Sequence, residues 1–433
     1  MERSAITSLV SWKESPGRKP LVLRGARQVG KTWLAKEFGR LNYQSTVYIN
    51  FEKNKRMQGI FAEDLDPHRL IEAFQIESKE IIHRGTTLLI LDEIQEAPGG
   101  LTALKYFNEL APEYHIIAAG SLLGLAHQVH QSYPVGKVQH LNLYPLSFRE
   151  YLHAIAEKEL ATLLERQDWD LIRQFKTRFI QLLRQYYYIG GMPEAVQAFV
   201  DRATYWDIRE IQKNILIAYQ QDMSKHAPAE IVQRIRLLWD SIPGQLAREN
   251  RKFVYSHIKA GARAREYELA MLWLLDAGLV YRINRVKNAR LPLKSYVDES
   301  AFKLFILDVG LLGAMVDLDS SILLEANNIL REYKGSLAEQ YVLQELISNQ
   351  DLSIYYWSAD RSLAEVDFMV QDGSSITAIE VKAEENLRSK SLKSFHERFP
   401  APACLRISMS DYREEDWLTN RPLYTNKSAN ALT

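Results

Sequence analysis

Eight residues, Gly25-Ala26-Arg27-Gln28-Val29-Gly30-Lys31-Thr32, limit the architectures open to this chain more than any other stretch. They match G-x-x-x-x-G-K-[ST], follow the apolar run LVLR and lead into TWLAKEFGR, which has helical character. Such a loop works at a strand-to-helix junction. Its glycines let backbone N–H groups wrap phosphates, and the first helical turn adds its positive end. A parallel α/β sheet with the loop at the carboxyl end of a strand is therefore expected. Five short apolar runs repeat the pattern: Pro20–Arg24, Thr46–Phe51, Thr87–Leu91, His115–Ala119 and Val138–Leu143. Separated by helix-length segments, they read as buried parallel strands.

The loop sets the expected chemistry. Gly25 through Thr32, with Trp33 behind them, would cradle ATP. Lys31 would reach the β- and γ-phosphates, and the Thr32 hydroxyl would ligate Mg²⁺. The run Leu88-Leu89-Ile90-Leu91 ends in Asp92-Glu93. Asp92 is placed to hold the magnesium through water, and Glu93 to polarise the attacking water. The adjacent glutamate favours hydrolysis over small-molecule phosphoryl transfer. Ser121, after the next strand, is a candidate sensor of the γ-phosphate, with plain loop capping as the alternative.

Composition excludes some classes. Cys404 is the only cysteine, so an intrachain disulfide and a cysteine-based metal site are ruled out. No apolar run reaches the roughly 18 residues that span a bilayer, and the first residues lack a signal-peptide pattern. A cytoplasmic location without membrane contact is expected. Formal net charge is zero over 433 residues, which leaves nucleic acid open because the placement of charge decides.

Along the chain, 1–150 reads as the ATPase core and 151–225 as a helical lid broken at Gly190–Pro193. Residues 226–315 give a helix at Glu230–Arg248, a short one near Val254–Ala260, a third at Arg263–Ala277, and a two-stranded ribbon. That is the order of a winged helix. Residues 316–425 return to α/β, with a helix at Leu337–Asn349 and strand-like SIYYWS, AEVDFMV and SITAIEVKA. The apolar stripe Leu269, Leu272, Trp273, Leu275 and Leu279 and the run Tyr186-Tyr187-Tyr188 read as core.

Seven motifs occur in order: LRGARQVGKT, LLILDEIQ, AAGSLLG, PVGKV with LYPLSFREYL, GGMPEAV, FKLFILDVGLL and KGSLAEQYVLQEL. On these the chain resembles the prokaryotic AAA-type P-loop ATPases that carry a C-terminal domain of unknown function. The resemblance implies an α/β fold: a P-loop NTPase parallel-sheet core with a helical lid, a winged helix and a C-terminal endonuclease-like α/β domain. It also extends to the signal-transducing ATPases with numerous domains, in which a Gly-x-Pro turn of the lid lies against adenine. Gly191-Met192-Pro193 matches that turn, so Met192 and Pro193 are expected adenine contacts, although Gly-Gly-x-Pro breaks a helix in any case. Lys137 and Arg149 are candidates for an arginine-finger role, and neither is chosen.

The C-terminal part carries a second pattern. Residues two apart on a strand share a face, so Glu380 and Lys382 project together. Asp367 on a neighbouring strand could share a second divalent metal, Mg²⁺ or Mn²⁺, with Glu380, and Glu339 on a helix could complete the site. The pattern looks like an endonuclease-like signature. The bland reading is an ion pair of Lys382 with Glu380 or Asp367.

Between Lys225 and Val297, fourteen Lys or Arg stand against six Asp or Glu, an excess of eight positive charges. Arg263 and Arg265 start the third helix, and Arg282 and Arg285 line the ribbon, where a winged helix would meet DNA or RNA. A solvated helix face is the alternative. The leading expectation is a Mg-dependent ATPase coupled to a nucleic-acid-engaging, metal-dependent nuclease-like domain. The alternative is an ATP-dependent conformational or oligomeric switch, with self-association into a homo-oligomer and an inactive nuclease-like domain used for protein binding.

Overall fold

The apolar runs of the N-terminal part are too short for helices and too continuous for half-exposed strands, so they go to the middle of a sheet covered on both faces. The computed structural model describes residues 1–120, 136–248, 252–321, 331–348, 352–360, 364–385 and 388–425. Its strands β1 (Leu21–Arg24), β2 (Ser45–Asn50), β3 (Thr87–Asp92), β4 (His115–Ala119) and β5 (Gln139–Asn142) form one sheet in the order β2-β3-β4-β1-β5. Every neighbouring pair is parallel. All residues of β3 and β4 are buried, which the Leu-Leu-Ile-Leu and Ile-Ile-Ala-Ala runs require. All five strands coincide with the expected apolar runs, and the chain is α/β with a parallel P-loop-type core.

The chain forms two compact units. One contains Glu2–Tyr144 together with Asp276–Leu279, and the other contains Pro145–Leu275 and Val280–Thr433. The first is therefore discontinuous in sequence.

The second unit begins with helices. They include Phe148–Ala154, whose Ser147 and Glu150 form a reciprocal capping box, and Lys176–Ile189, which ends at Gly190. Pro193 then opens the helix Pro193–Val200, as proline favours a first helical position. Long helices follow at Tyr205–His226 and Ala229–Leu246, and then a 3-10 turn at Tyr255–His257 and the helix Ala264–Asp276.

Strands β6 (Val280–Val286) and β7 (Val297–Ile306) form the antiparallel ribbon. They are joined to β8 (Ser353–Ser358), β9 (Glu365–Asp372), β10 (Ser375–Val381), β11 (Ala403–Ser408), β12 (Arg413–Glu415) and β13 (Leu418–Pro422) in one mixed sheet, ordered β12-β13-β11-β10-β9-β8-β6-β7. The junction is a short parallel pairing, Arg285 with Tyr356 and Val286 with Trp357. The ribbon is thus built into the C-terminal sheet, and the 315/316 position separates no two sheets. One apolar core beneath it includes Val286, Leu293, Trp357, Met369, Leu392 and Phe395.

The third helix corrects one expectation. Trp273 and Leu279 are buried, but Leu269 is 63% and Leu272 43% exposed. The inward face of Ala264–Asp276 is Tyr267, Ala270, Met271, Trp273 and Leu274. The aromatic residues set the phase of this helix, and a stripe drawn through leucines alone is rotated from it. Tyr186, Tyr187 and Tyr188 are all buried, as their reading as core demands.

Candidate functional site

In the first unit the loop after β1 closes back on itself before the helix Lys31–Asn42 begins. Three residues of it have positive φ: Gly25 at 141°, Gln28 at 67° and Gly30 at 93°. Gly25 has no substitute, because a Cβ there would lie 2.2 Å from the Leu143 carbonyl oxygen. Ala26 and Val29 are buried anchors, whereas Arg27 and Gln28 are exposed and Trp33 is 44% exposed. Arg3 holds the loop from behind, donating to the Val29 carbonyl at 3.1 Å and the Tyr144 carbonyl at 2.7 Å.

Lys31 is buried, and its Nζ donates to the carbonyls of Gly25 (2.8 Å) and Ala26 (2.7 Å). Burial pushes its pKa down to about 8, against the opposing pull of Glu93 and Asp92. The ammonium is thus short of solvation, which a phosphate would supply.

Asp92, at the end of β3, is buried and collects donors on Oδ2. Thr32 Oγ1 donates at 3.1 Å, the Tyr48 hydroxyl at 2.7 Å and Asn50 Nδ2 at 3.3 Å. Tyr48 and Asn50 were not singled out from the sequence. They come from β2, whose register sets Asn50 opposite Asp92. The alternation in Val47-Tyr48-Ile49-Asn50 carries the signal, with both apolar residues buried and both polar ones turned the other way. Lys36 Nζ lies 3.6 Å from the centre of the Tyr48 ring. Burial and the bond to Asp92 push the Tyr48 phenol up to about 12, so it stays a donor.

Glu93 follows in the left-handed region, at φ 51°, and its carboxylate accepts from Gln95 Nε2. Ser121 lies outside the described residues. Thr32 and Asp92 together offer the hard oxygen donors that Mg²⁺ takes. Lys137 pairs with Glu109 at 2.9 Å and Arg149 with Glu165 at 3.3 Å.

In the second unit Gly191 donates its N–H to Asp308 Oδ2 at 2.6 Å, and a Cβ on Gly191 would lie 2.2 Å from the Leu146 carbonyl oxygen. The glycine pair is therefore required by close packing. Met192 is fully buried, and Pro193 is half-buried.

Three residues of the endonuclease-like pattern, Asp367, Glu380 and Lys382, fall on one region of the mixed sheet. Phe368 pairs with Ile379, so Asp367 and Glu380 stand at the next position of the two strands. Asp367 Oδ2 accepts from the Val381 N–H at 2.8 Å. Glu380, which is buried, pairs with Lys382 at 2.9 Å. Glu339 is buried on the helix Arg331–Ile347. Yet among the described residues no three His, Cys, Asp or Glu side chains are grouped to hold a metal ion. The expected second divalent metal at Asp367 and Glu380 thus lacks a matching donor set. The ammoniums of Lys382 and Lys303 stand beside these carboxylates instead.

Of the four arginines expected to face nucleic acid, Arg263 and Arg265 are exposed. Arg282 and Arg285 are engaged internally. Arg282 donates to Asn284 and to the Glu299 carbonyl, and lies 4.3 Å from the Phe302 ring centre. Arg285 donates to the Ser358 carbonyl and pairs with Asp360.

A family model described as an AAA domain matches residues 17–152. That stretch of the chain is similar to AAA domains. Behind it, residues 180–322 and 334–424 match two further family models, each described as a domain of unknown function (DUF8612 and DUF4143). The Walker-type ATPase PABY2304 of Pyrococcus abyssi is 14% identical, with a TM-score of 0.44 over 73% of this chain and 95% of that one. The Orc1 protein of Aeropyrum pernix, solved in complex with DNA, is 14% identical with a TM-score of 0.29, covering 73% of this chain and 93% of its own. RuvB of Thermotoga maritima is 16% identical with a TM-score of 0.28, over 68% and 90%. No functionally curated protein matches. Among the described residues, no helix is long and apolar enough to cross a membrane.

Proposed function

We propose that this chain binds ATP with Mg²⁺ at Gly25–Thr32 and hydrolyses it, and that its nucleotide state acts as a switch on the C-terminal modules. The observation that supports this most is the 3.1 Å hydrogen bond from the Thr32 hydroxyl to the Asp92 carboxylate, which joins the loop to the acidic strand end. Thr32 would hold the magnesium directly and Asp92 through water. An ion held there would neutralise charge on the phosphate oxygens. Tyr48 and Asn50 fix the orientation of Asp92. Lys31 supplies the fixed positive charge, and its partners are carbonyls of the loop itself that phosphate oxygens can replace. Glu93 accepts the proton of the attacking water, and Gln95 competes with that water for the same carboxylate.

Phosphate release and nucleotide binding test the reading together. Lys31→Ala is expected to abolish binding. Glu93→Gln is expected to keep binding while lowering kcat by about 100-fold or more. Wild-type turnover in Glu93→Gln would remove the glutamate from its role as base.

For the C-terminal part, the absence of a three-donor carboxylate group among the described residues supports the switch with a nuclease-like platform over metal-dependent cleavage. Nucleic-acid contact rests on Arg263 and Arg265, exposed at the start of their helix. A duplex-DNA binding isotherm at two salt concentrations checks it. Affinity should fall with salt, and Arg263→Ala with Arg265→Ala should reduce that dependence. Unchanged binding in the double variant would assign the contact elsewhere.

A further inference from the structure

Strand β7 is buried without interruption from Ala301 to Ile306, and Lys303 sits inside that stretch with 0% exposure. A lysine removed from water keeps its charge only in the company of carboxylates. Lys303 has that company. Its Nζ is 2.5 Å from Glu365 Oε1 and 3.8 Å from Glu339 Oε2, and it lies 5.0 Å from the centre of the Tyr356 ring. Glu365 and Asp367 alternate on β9 and so share a face, and Lys382 holds Glu380 on the neighbouring strand. Two acidic residues of the endonuclease-like pattern, Glu339 and Glu380, therefore stand beside ammonium groups carried by the chain itself, and the third, Asp367, accepts from the Val381 N–H. A divalent ion brought to Glu339 would meet the Lys303 charge at the carboxylate it needs, in a region with little water to screen the repulsion.

We propose that Lys303 is the built-in counter-ion of this cluster: its ammonium takes the charge position that a divalent metal would take, so the C-terminal domain keeps its acidic residues without binding metal. The inference stands on the C-terminal sheet alone and is independent of ATP hydrolysis. It assigns Lys303 a role in the sheet's charge balance and predicts that removing one charge converts a metal-free cluster into a metal site.

The test uses the full chain without nucleotide, in an Asp92→Asn background that removes the magnesium position of the loop. Mn²⁺ is titrated and the free ion is read by its paramagnetic resonance signal. The parent should show no Mn²⁺ site that depends on Asp367 or Glu380. Adding Lys303→Met should create a site at least about tenfold tighter than anything in the parent, and Asp367→Asn should abolish it. Two results overturn the proposal. One is a parent site lost in Asp367→Asn or Glu380→Gln, and the other is a folded Lys303→Met protein that gains no Mn²⁺ binding. Circular dichroism establishes the fold, and Lys303→Gln serves where Lys303→Met does not fold. If neither folds, the parent titration decides: a site dependent on Asp367 or Glu380 overturns the proposal, and none supports it.

Discussion

At the residue scale, Asp92 shows what local sequence carries and what it leaves out. The phosphate loop and the acidic strand end are contiguous strings whose chemistry is set by neighbours in sequence, so both were legible. The groups that hold Asp92 are not. Tyr48 and Asn50 reach it across a parallel strand pair, and only the register of β2 on β3 places them. Lys303 was missed for a related reason: FKLFI reads as a buried strand, and the glutamates beside the lysine lie 36 and 62 positions further on. Tyr48→Phe removes one hydrogen bond to a buried carboxylate without changing shape. A loss of about 1 kcal/mol in the transition state corresponds to a roughly fivefold lower kcat/KM. Steady-state kinetics should show that drop, with circular dichroism showing an unchanged fold. A value equal to wild type would mean that Thr32 and Asn50 suffice.

At the scale of elements, the helix Arg331–Ile347 organises the second unit through buried polar groups. Gln344 donates to Asp308 and to the Tyr186 hydroxyl, and Glu345 accepts from the Phe148 N–H at 2.8 Å. Asp308 in turn caps the helix Val309–Met315 and holds the Gly191 turn. Burial raises Asp308 to about 6 and Glu345 to about 8. Both are acids that bind their proton more tightly when folded. Their neutral forms favour the native state, and that stability falls as pH rises from the ordinary carboxylate range toward the raised values. Glu345→Gln stays neutral and keeps an acceptor for Phe148. Urea midpoints at pH 5 and pH 8 should therefore diverge. The variant should gain on wild type at the higher pH by something on the order of a few kcal/mol. Equal pH slopes would show that Glu345 titrates normally. The motifs FKLFILDVGLL and KGSLAEQYVLQEL carried the family resemblance, but their role as a polar hub depends on non-local packing that periodicity does not encode. The same holds for the ribbon. Its two strands were readable, whereas its pairing with β8 joins segments about 70 residues apart.

At the scale of the whole molecule, the two units differ in how the chain builds them. The mixed sheet gathers β6 through β13 in one ladder, while the first unit takes four residues, Asp276–Leu279, from far along the sequence. Within that unit Gly278 has positive φ, and a Cβ on it would come within 3.3 Å of the Ala26 nitrogen. A fragment of residues 1–150 should accordingly bind MgATP several-fold more weakly than the full chain, a difference measurable with a fluorescent nucleotide. Equal affinities would mean that the borrowed segment is dispensable.

That borrowed segment also bears on the order of events during synthesis. Domains commonly fold as they leave the ribosome, amino-terminal first, at roughly 5–20 residues per second. The five parallel strands are all made by Asn142, but Gly278 is still unmade at that point. The phosphate loop thus spends the time needed to translate more than a hundred further residues without its last neighbour, roughly 7 to 27 seconds at such rates. The nascent chain passes through a stage in which the sheet can form and the loop beside Ala26 is still open.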